Sequence, residues 1–365
     1  MTRAMANNSL KHSTDRIDNR DLIKDIRFKE GLVIGLADLL KKYSINMVAN
    51  VMFGLDFDLY NNPSSEKIIR ATRNVTIALS PFIFLPYSKF WLASRIPLSL
   101  SKLIGLIPET TDAVRYYKDM IEDALEKHMG DDESLKRSDI IHSFVHSMRT
   151  GILTEEEVIV NSIMLISTLS NTMHETLCFM LYALAQNPEV QANVHREIDD
   201  LPDDASYEDL SQLKYLDAVF METMRCYPPE ARGHRVVTAE NGTRIPGTNI
   251  HLPKDTIINI SILALHFDPQ YWKDPLIFNP DRFLPGCKEQ LMDCTFMTFA
   301  SGPRKCPGIV FGQIMVKKGI VPILREFSVI NPQPEVFEYP KNARKFTPAI
   351  LSVRFVKRNM MQSNQ

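Results

Sequence analysis

The sequence lacks three features that would each point to a particular class of protein. Its 365 residues contain five cysteines, an odd number without paired spacing, so a disulfide framework is not expected and a reducing compartment is favoured. The formal net charge of -2 gives no electrostatic case for nucleic acid as a partner. Residues 1–20 are polar and contain no apolar run, so they predict neither a signal peptide nor a membrane anchor.

Helical periodicity dominates what is present. The chain is long enough for one large hydrophobic core or two, and its 44% apolar and 24% charged residues are ordinary for a globular protein. Short strand-like runs separated by turns occur only in residues 236–262. The pattern therefore predicts a mainly α fold with a minor β region. Predicted helices cover residues 28–43, 112–127, 140–148, 155–186 and 215–226.

The helix predicted over residues 155–186 is unusually long. Thr154 and Glu157 have the spacing of a capping box, and no glycine or proline follows before residue 187. At 1.5 Å per residue this helix would measure about 48 Å. Apolar residues occur nearly all round it, which is typical of a buried central helix. Its midpoint, residues 167–172, is polar and costly to bury without partners.

A glycine- and proline-rich loop, residues 299–308, surrounds Cys306 and precedes an apolar segment. We expect a helix to begin after Gly308, so that its amides and positive dipole favour a thiolate at Cys306. A thiolate ligates iron, and Arg304 could pair with an anionic group at the same site. Taken alone, the loop is equally compatible with Cys306 as a small buried hydrophobic residue.

The loop resembles the haem-binding loop of the cytochrome P450 family, F-x-x-G-x-R-x-C-x-G, at five fixed positions: Phe299, Gly302, Arg304, Cys306 and Gly308. The resemblance implies that Cys306 is the proximal ligand of the iron in haem b. It also implies that Arg304 pairs with a haem propionate, and that Arg235 is a second propionate-binding arginine.

Two further segments carry the same resemblance. Glu222-x-x-Arg225 resembles the family's E-x-x-R helix, and residues 278–283 resemble its later P-x-R-F segment. The resemblance implies a buried cluster of Glu222, Arg225 and Arg282 that holds the loop behind Cys306. From the helix spacing alone, Glu222 and Arg225 could equally form a surface ion pair, worth less than about 1 kcal/mol.

The resemblance runs from about Asp38 to the C-terminus and is greatest to the microsomal clan of xenobiotic hydroxylases and thromboxane synthase. It implies a P450 fold that lacks its N-terminal strands and helices, including a W-x-x-x-R haem contact. The corresponding division is a polar segment, residues 1–27, followed by a single haem-binding catalytic domain, residues 28–360.

The long helix departs from the family pattern A/G-G-x-D/E-T. Thr172 is kept, but Leu169 replaces a glycine and Asn171 replaces the acid of the proton relay. An amide cannot deliver a proton by titrating near neutral pH. Thr172 and Asn171 are nevertheless the candidate catalytic residues. Glu230 occupies the family's substrate-facing turn and would bring a charge near an apolar pocket unless it points outward.

The resemblance implies a haem-thiolate monooxygenase that inserts one atom of dioxygen into a small apolar substrate of the lipid, steroid or xenobiotic class. Electrons would come from NADPH-cytochrome P450 reductase. Basic residues that could dock the reductase, or simply form a solvated face, are Lys305, Lys317, Lys318 and Arg325. Two alternatives stay open: an isomerase or dehydratase acting on a peroxide, which Leu169 and Asn171 would suit, and a truncated, non-catalytic haem-binding protein.

The same resemblance implies a location on the cytosolic face of the endoplasmic reticulum membrane. Because no anchor was identified in the chain, a cytoplasmic location is the alternative. Residues 81–107 are aromatic and aliphatic but interrupted by three prolines, so they could contact a membrane surface peripherally or pack in the core.

Overall fold

The computed structural model describes residues 18–79, 111–129, 140–287, 292–332 and 351–358. In chain order, their α-helices are α1 (Arg20–Phe28), α2 (Leu36–Phe53), α3 (Ser65–Leu79), α4 (Thr111–Met129), α5 (Ile140–Arg149), α6 (Glu155–Gln186), α7 (Pro188–Asp199), α8 (Tyr207–Ser211), α9 (Lys214–Cys226), α10 (Ile262–His266) and α11 (Ile309–Glu326). The strands are β1 (Val33–Gly35), β2 (Arg232–Val236), β3 (Thr243–Arg244), β4 (His251–Leu252), β5 (Ile257–Ser261), β6 (Phe327–Ile330) and β7 (Ser352–Lys357). The mainly α fold with a minor β region is as predicted.

Helix α6 is the central element of the core, with the bounds that the sequence predicted. Its first turn is closed by the predicted capping box: the Glu157 amide donates to Thr154 Oγ1 at 3.3 Å, and the Thr154 amide donates to the Glu157 carboxylate at 2.8 Å. From Met173 to Ala185 every side chain is buried. The C-terminal half of α6 therefore runs through the core, with α2 packed along it.

Helices α2, α6 and α11 approach one another closely at Gly319 of α11. A Cβ atom at this position would lie 2.9 Å from Tyr43 Cε1 in α2 and 3.3 Å from Leu177 Cδ2 in α6. Real Cβ contacts are almost never that short, so the crossing requires a residue without a side chain. Gly319 thus sets how near α11, which follows the cysteine loop, lies to the central helix.

A three-stranded antiparallel sheet joins the two ends of the described chain in the order β1-β7-β6. Val33 pairs with Arg354, and Phe327 pairs with Lys357. This sheet was not predicted, and the prediction of one helix over residues 28–43 is wrong. Gly31, at φ +76°, follows the end of α1, and the next residues pair with β7 instead of continuing the helix. Helix α1 itself buries Leu22 and Ile26 in the main core.

The predicted β region is confirmed as two short antiparallel pairs. Strands β2 and β5 pair from Arg232 opposite Ser261 to Val236 opposite Ile257, and β3 pairs with β4. The first strand begins four residues before the predicted region.

Within the described ranges, one segment, Gly302–Glu326, is long and apolar enough to cross a membrane by length and composition alone. Half of its most apolar window is buried inside the protein, and the core helix of a soluble protein passes the same test. Residues 81–107, the predicted membrane contact, lie outside the described residues.

We predict that Gly319→Ala destabilises the protein by about 1–3 kcal/mol, because the added methyl group overpacks the crossing of α2, α6 and α11. Gly312→Ala in the same helix is the matched control, since nothing lies within 4 Å of its Cβ position. Alanine there gains helix propensity, so the control should be neutral or stabilising. Urea unfolding of both variants measures the difference. Equal free energies of unfolding would contradict the close crossing.

Candidate active site

The loop that carries Cys306 is closed by its own backbone. The Cys306 amide donates to the Phe299 carbonyl at 2.8 Å, and the Lys305 amide donates to the Gly302 carbonyl at 3.1 Å. Two residues adopt left-handed backbone conformations: Gly302 at φ +75°, and Ala300 at φ +57°, where a side chain is disfavoured. Residues 302–304 form a single 3₁₀ turn with proline inside it. The loop therefore has a fixed shape, with a strained residue, Ala300, six positions before the cysteine.

Cys306 is exposed and lies three residues before α11 begins. The Gly312 amide donates to the carbonyl of Gly308, the residue that caps the helix, at 2.8 Å. The thiol thus sits near the positive end of the helix dipole, as expected from the sequence. Arg304 is exposed in the turn just before it. The Cys306 thiol and the Arg304 guanidinium group thus belong to the same exposed stretch of the loop.

Behind the loop lies an ion cluster of Glu222, Arg225 and Arg282. The side chains of Glu222 and Arg225 have no solvent exposure, and two guanidinium nitrogens of Arg225 donate to the two carboxylate oxygens at 2.8 Å each. Arg282 Nε also donates to Glu222, at 3.3 Å. The backbone amide of Asn279 donates a further hydrogen bond to Glu222 Oε1, at 2.8 Å. The pair is therefore bidentate, buried and fully hydrogen-bonded, and is not a surface ion pair.

His266 links this cluster to the cysteine loop. Its ring accepts a hydrogen bond at Nε2 from the Met297 amide, at 2.9 Å, so Nδ1 must carry the proton, which it donates to the Arg225 carbonyl. Arg225 in turn donates to the His266 carbonyl at 2.8 Å. Burial lowers the pKa of His266 to about 4, and the nearby Arg225 charge also lowers it. The imidazole is thus a neutral connector between the ion pair and the segment that leads to Cys306.

Aromatic rings fill the space between the cluster and the loop. The buried Trp272 ring lies 5.3 Å from the Arg225 guanidinium carbon and 5.9 Å from that of Arg282. The Phe296 ring stacks on His266 with centroids 5.3 Å apart. Phe299, the first residue of the loop, stacks on Phe220 of α9. These contacts support the back of the loop with apolar surface.

Sequence reasoning missed His266 and Trp272, although both contact the cluster. Trp272 is one of two tryptophans in the chain, and its indole donates to the Leu265 carbonyl at 3.0 Å. A rare tryptophan close before residues 278–283 was the one available signal. No local signal in the sequence pointed to His266, because its partners, Arg225 and Met297, lie 41 and 31 residues away.

The two candidate catalytic residues at the polar midpoint of α6 differ in burial and in their hydrogen-bond partners. Asn171 is buried: its carboxamide oxygen accepts from Lys41 of α2, and its nitrogen donates to the Ser167 carbonyl at 2.6 Å. Thr172 is half-buried, and its hydroxyl donates to the Thr168 carbonyl at 3.0 Å. Asn171 therefore contacts the α2 side of the helix.

Leu169, on the same turn of α6, comes close to the cysteine loop. Its Cδ2 atom lies 3.9 Å from the position that a Cβ atom would take on Gly308, and Cys306 Sγ lies equally near that position. Arg235 lies in β2, where its guanidinium donates to the His234 carbonyl. Glu230 is half-buried in the turn between α9 and β2.

Three of the four basic residues proposed for reductase docking instead join α11 to residues 201–217. Lys317 is 2% exposed, donates to the Leu210 carbonyl at 2.7 Å and pairs with Asp217 at 2.7 Å. Burial lowers the pKa of Lys317, while Asp217 opposes that shift. Lys318 and Arg325 likewise donate to backbone carbonyls, from residues 201–205. Lys317 is thus unavailable to a partner, and Lys305 is the exposed member of the set.

A sequence model of the Cytochrome P450 family matches residues 2–350. The chain therefore belongs to the cytochrome P450 family. The match begins at residue 2, well before the expected start near Asp38.

Among curated relatives, the chain is 28% identical over 318 residues to Cytochrome P450 3A9 of Rattus norvegicus, covering 84% of this chain and 61% of the rat protein. It is 29% identical over 319 residues to Cytochrome P450 3A13 of Mus musculus, covering 84% and 62% of the two chains. It is 30% identical over 323 residues to Cytochrome P450 3A17 of Cavia porcellus, a match that covers 84% of this chain and 61% of the guinea-pig protein. The chain thus spans about three fifths of the length of these relatives.

The cofactor of this family is haem b, and the donor set of the site fits it. Among the residues that the structure describes, no group of three or more His, Cys, Asp or Glu side chains could hold a bare metal ion. Iron held by a porphyrin needs a single protein ligand on the proximal side, and the exposed thiol of Cys306 matches that need. The propionates need cations near the surface, and Arg304 is exposed beside the thiol.

We predict that Glu222→Ala costs about 3–5 kcal/mol of stability and yields protein with little haem, because Arg225 would be left buried without its counter-ion. The matched control is Glu240→Ala, which removes an exposed partner of Lys254. A surface pair contributes less than about 1 kcal/mol. Chemical unfolding and haem content per protein measure both variants. Equal behaviour of the two variants would show that the buried pair does not hold the loop.

A second prediction concerns pH. An unfolded histidine titrates near 6.5, and folded His266 titrates at about 4, so the unfolded state binds more protons between these values. The contribution of His266 to the free energy of unfolding should therefore be fully present above pH 6.5. It should fall as the pH drops towards 4, by up to about 1.4 kcal/mol per pH unit.

The test is the free energy of unfolding against pH in wild type, His266→Gln and, as control, His251→Gln, whose ring is exposed. Burial also lowers the pKa of His195 to about 4, but this histidine is present in all three proteins and contributes equally to the pH dependence of each. His266→Gln should have a shallower slope than the other two. Parallel slopes in all three proteins would exclude His266 as the titrating connector.

Proposed function

We propose that this chain is the catalytic part of a haem-thiolate monooxygenase acting on small apolar substrates of the lipid, steroid or xenobiotic class. The observation that carries the proposal is the exposed Cys306 in a closed loop at the start of α11, backed by a buried ion cluster. Haem b bound through a thiolate supplies the activation of dioxygen, with two electrons from a reductase. Family membership supports the reaction class, and the substrate class follows from resemblance.

Each residue of the proposed site would either bind the cofactor or hold the loop that binds it. Cys306 would ligate the iron, and Arg304 and Arg235 would pair with the propionates. The positive charge of the two guanidinium groups supports this pairing, and Arg304 is exposed whereas Arg235 is half-buried. Phe299, Gly302 and Gly308 would fix the shape of the loop. Glu222, Arg225 and Arg282, through His266, would hold it from behind. Each of these roles binds or orients and leaves the chemistry to the cofactor.

Thr172 is the better supported of the two candidates on α6. Its hydroxyl is half-buried, and it can exchange its bond to the Thr168 carbonyl for one to a ligand or water. Asn171 uses both polar atoms on Lys41 and Ser167, which favours a role in fixing α6 against α2. We propose Thr172 as the residue that holds a proton donor near the haem, with Asn171 acting indirectly.

NADPH-cytochrome P450 reductase is the proposed electron donor, and the cytosolic face of the endoplasmic reticulum membrane the proposed location. Both proposals rest on resemblance to the microsomal clan. The exposed Lys305, one residue from the ligand, supports docking of an acidic partner at this face.

We predict that Cys306→Ser, reconstituted with haemin, lacks the thiolate-type Soret band of the ferrous carbonyl complex, because serine cannot supply the sulfur ligand. Cys287→Ser is the control, since Cys287 is also exposed and lies outside the loop. The measurement is the carbonyl difference spectrum of both variants and the wild type. A thiolate-type band in Cys306→Ser would remove Cys306 as the ligand and with it the proposed function.

A further inference from the structure

Lys317 of α11 ends in a buried ammonium group with three acceptors around it. Its Nζ atom donates to the Leu210 carbonyl at 2.7 Å and to the Leu213 carbonyl at 3.3 Å. The third acceptor is the Asp217 carboxylate, also at 2.7 Å. A lysine ammonium group has three protons, so these partners use its whole donor capacity. Because a buried cation is costly away from its partners, the end of this side chain is held in one place.

The acceptors of this ammonium group surround the start of α9. Leu213 is the residue that caps the helix, and Asp217 lies in its first turn. Glu197 of α7 holds the same turn from another side, because its two carboxylate oxygens accept from the Tyr215 and Leu216 amides at 2.8 Å each. Charged groups from α7 and α11 therefore anchor the N-terminal end of α9.

The other end of α9 carries the ion cluster. With 13 residues, α9 is about 20 Å long. From Arg225 near its C-terminus, hydrogen bonds run through His266 to the Met297 amide, which precedes the cysteine loop. On the far side of the loop, α11 returns to the first turn of α9 through Lys317. The loop that carries Cys306 is thus attached to both ends of one helix.

We propose that Lys317 is a positioning residue for the Cys306 ligand. By fixing α11 against the start of α9, it sets where the sulfur stands relative to the segment that the ion cluster holds. The inference rests on the proposed function, because it concerns how a thiolate is held towards the iron of haem b. A lysine with a purely structural role would affect folding and leave the ligand of the iron unchanged in the folded, haem-loaded protein.

The experiment compares Lys317→Met with wild type and with Lys318→Met. Lys318 is the matched control, because it is the next residue of α11 and donates to the Ala205 carbonyl, in the segment before α8. Each protein is reconstituted with haemin, reduced and saturated with carbon monoxide, well below its melting temperature. The measurement is the ratio of the thiolate-type carbonyl complex to the carbonyl complex with any other ligand, per bound haem.

Lys317→Met should lower this ratio about tenfold, which corresponds to about 1.4 kcal/mol. Methionine keeps much of the apolar stem and removes the charge and the donors, so α11 loses its polar attachment to α9. Lys318→Met should keep the wild-type ratio, since its bond does not reach α9. A fall of the same size in both variants would overturn the inference, because loss of any lysine from this part of α11 would then suffice.

A second variant covers the case in which Lys317→Met yields no haem-loaded protein. Asp217→Asn removes the counter-ion of Lys317 and keeps its two carbonyl bonds, and the Asp217 side chain is 32% exposed, so the change buries no new unpaired group. The ratio should fall in the same direction by less. In that case, a wild-type ratio in Asp217→Asn would overturn the inference.

The wild-type spectrum separates this inference from the proposed function. Absence of the thiolate-type complex in wild type would overturn the proposed function and the inference together. A thiolate-type complex in wild type, with an equal ratio in haem-loaded Lys317→Met, would overturn the inference alone.

Discussion

Glu222 and Arg225 share a buried, bidentate ion pair on which the geometry of the site depends. Removing two charges from water costs about as much as their attraction returns, so such a pair adds little net stability. Breaking it is expensive, however, because the remaining charge is left buried. The pair therefore acts as a constraint: Arg225 must keep its donors on Glu222 and on the His266 carbonyl. Through His266 and the Met297 amide, that constraint reaches the loop of Cys306.

Local signals in the sequence predicted the elements whose causes are local. The capping box at Thr154 and the uninterrupted apolar pattern after it defined both ends of α6, and the three-residue spacing of Glu222 and Arg225 placed both on one face of a helix. The loop around Cys306 was predicted to turn into a helix after Gly308, and it does. In each case the determining contacts lie within a few residues of one another.

What the sequence could not predict depends on contacts between distant residues. The sheet β1-β7-β6 forms because Val33 meets Arg354, and no local pattern at residues 33–35 announces a partner more than three hundred residues away. The burial of Lys317 is of the same kind, since its carbonyl acceptors lie on a segment about a hundred residues earlier. A lysine in a helix after a basic loop looks like a docking residue until its neighbours are known. Arg282, sixty residues from Glu222, was assigned to the cluster through family resemblance alone.

The midpoint of α6 is polar, and contacts on the α2 side offset the cost of burying it. Asn171 is buried, but its carboxamide accepts from Lys41 and donates to the Ser167 carbonyl. A buried polar group with such partners avoids the penalty that an unpaired one would incur. Asn171 thereby fixes this turn of α6 against α2, just as the Glu222–Arg225 pair, through His266, fixes the segment that leads to Cys306.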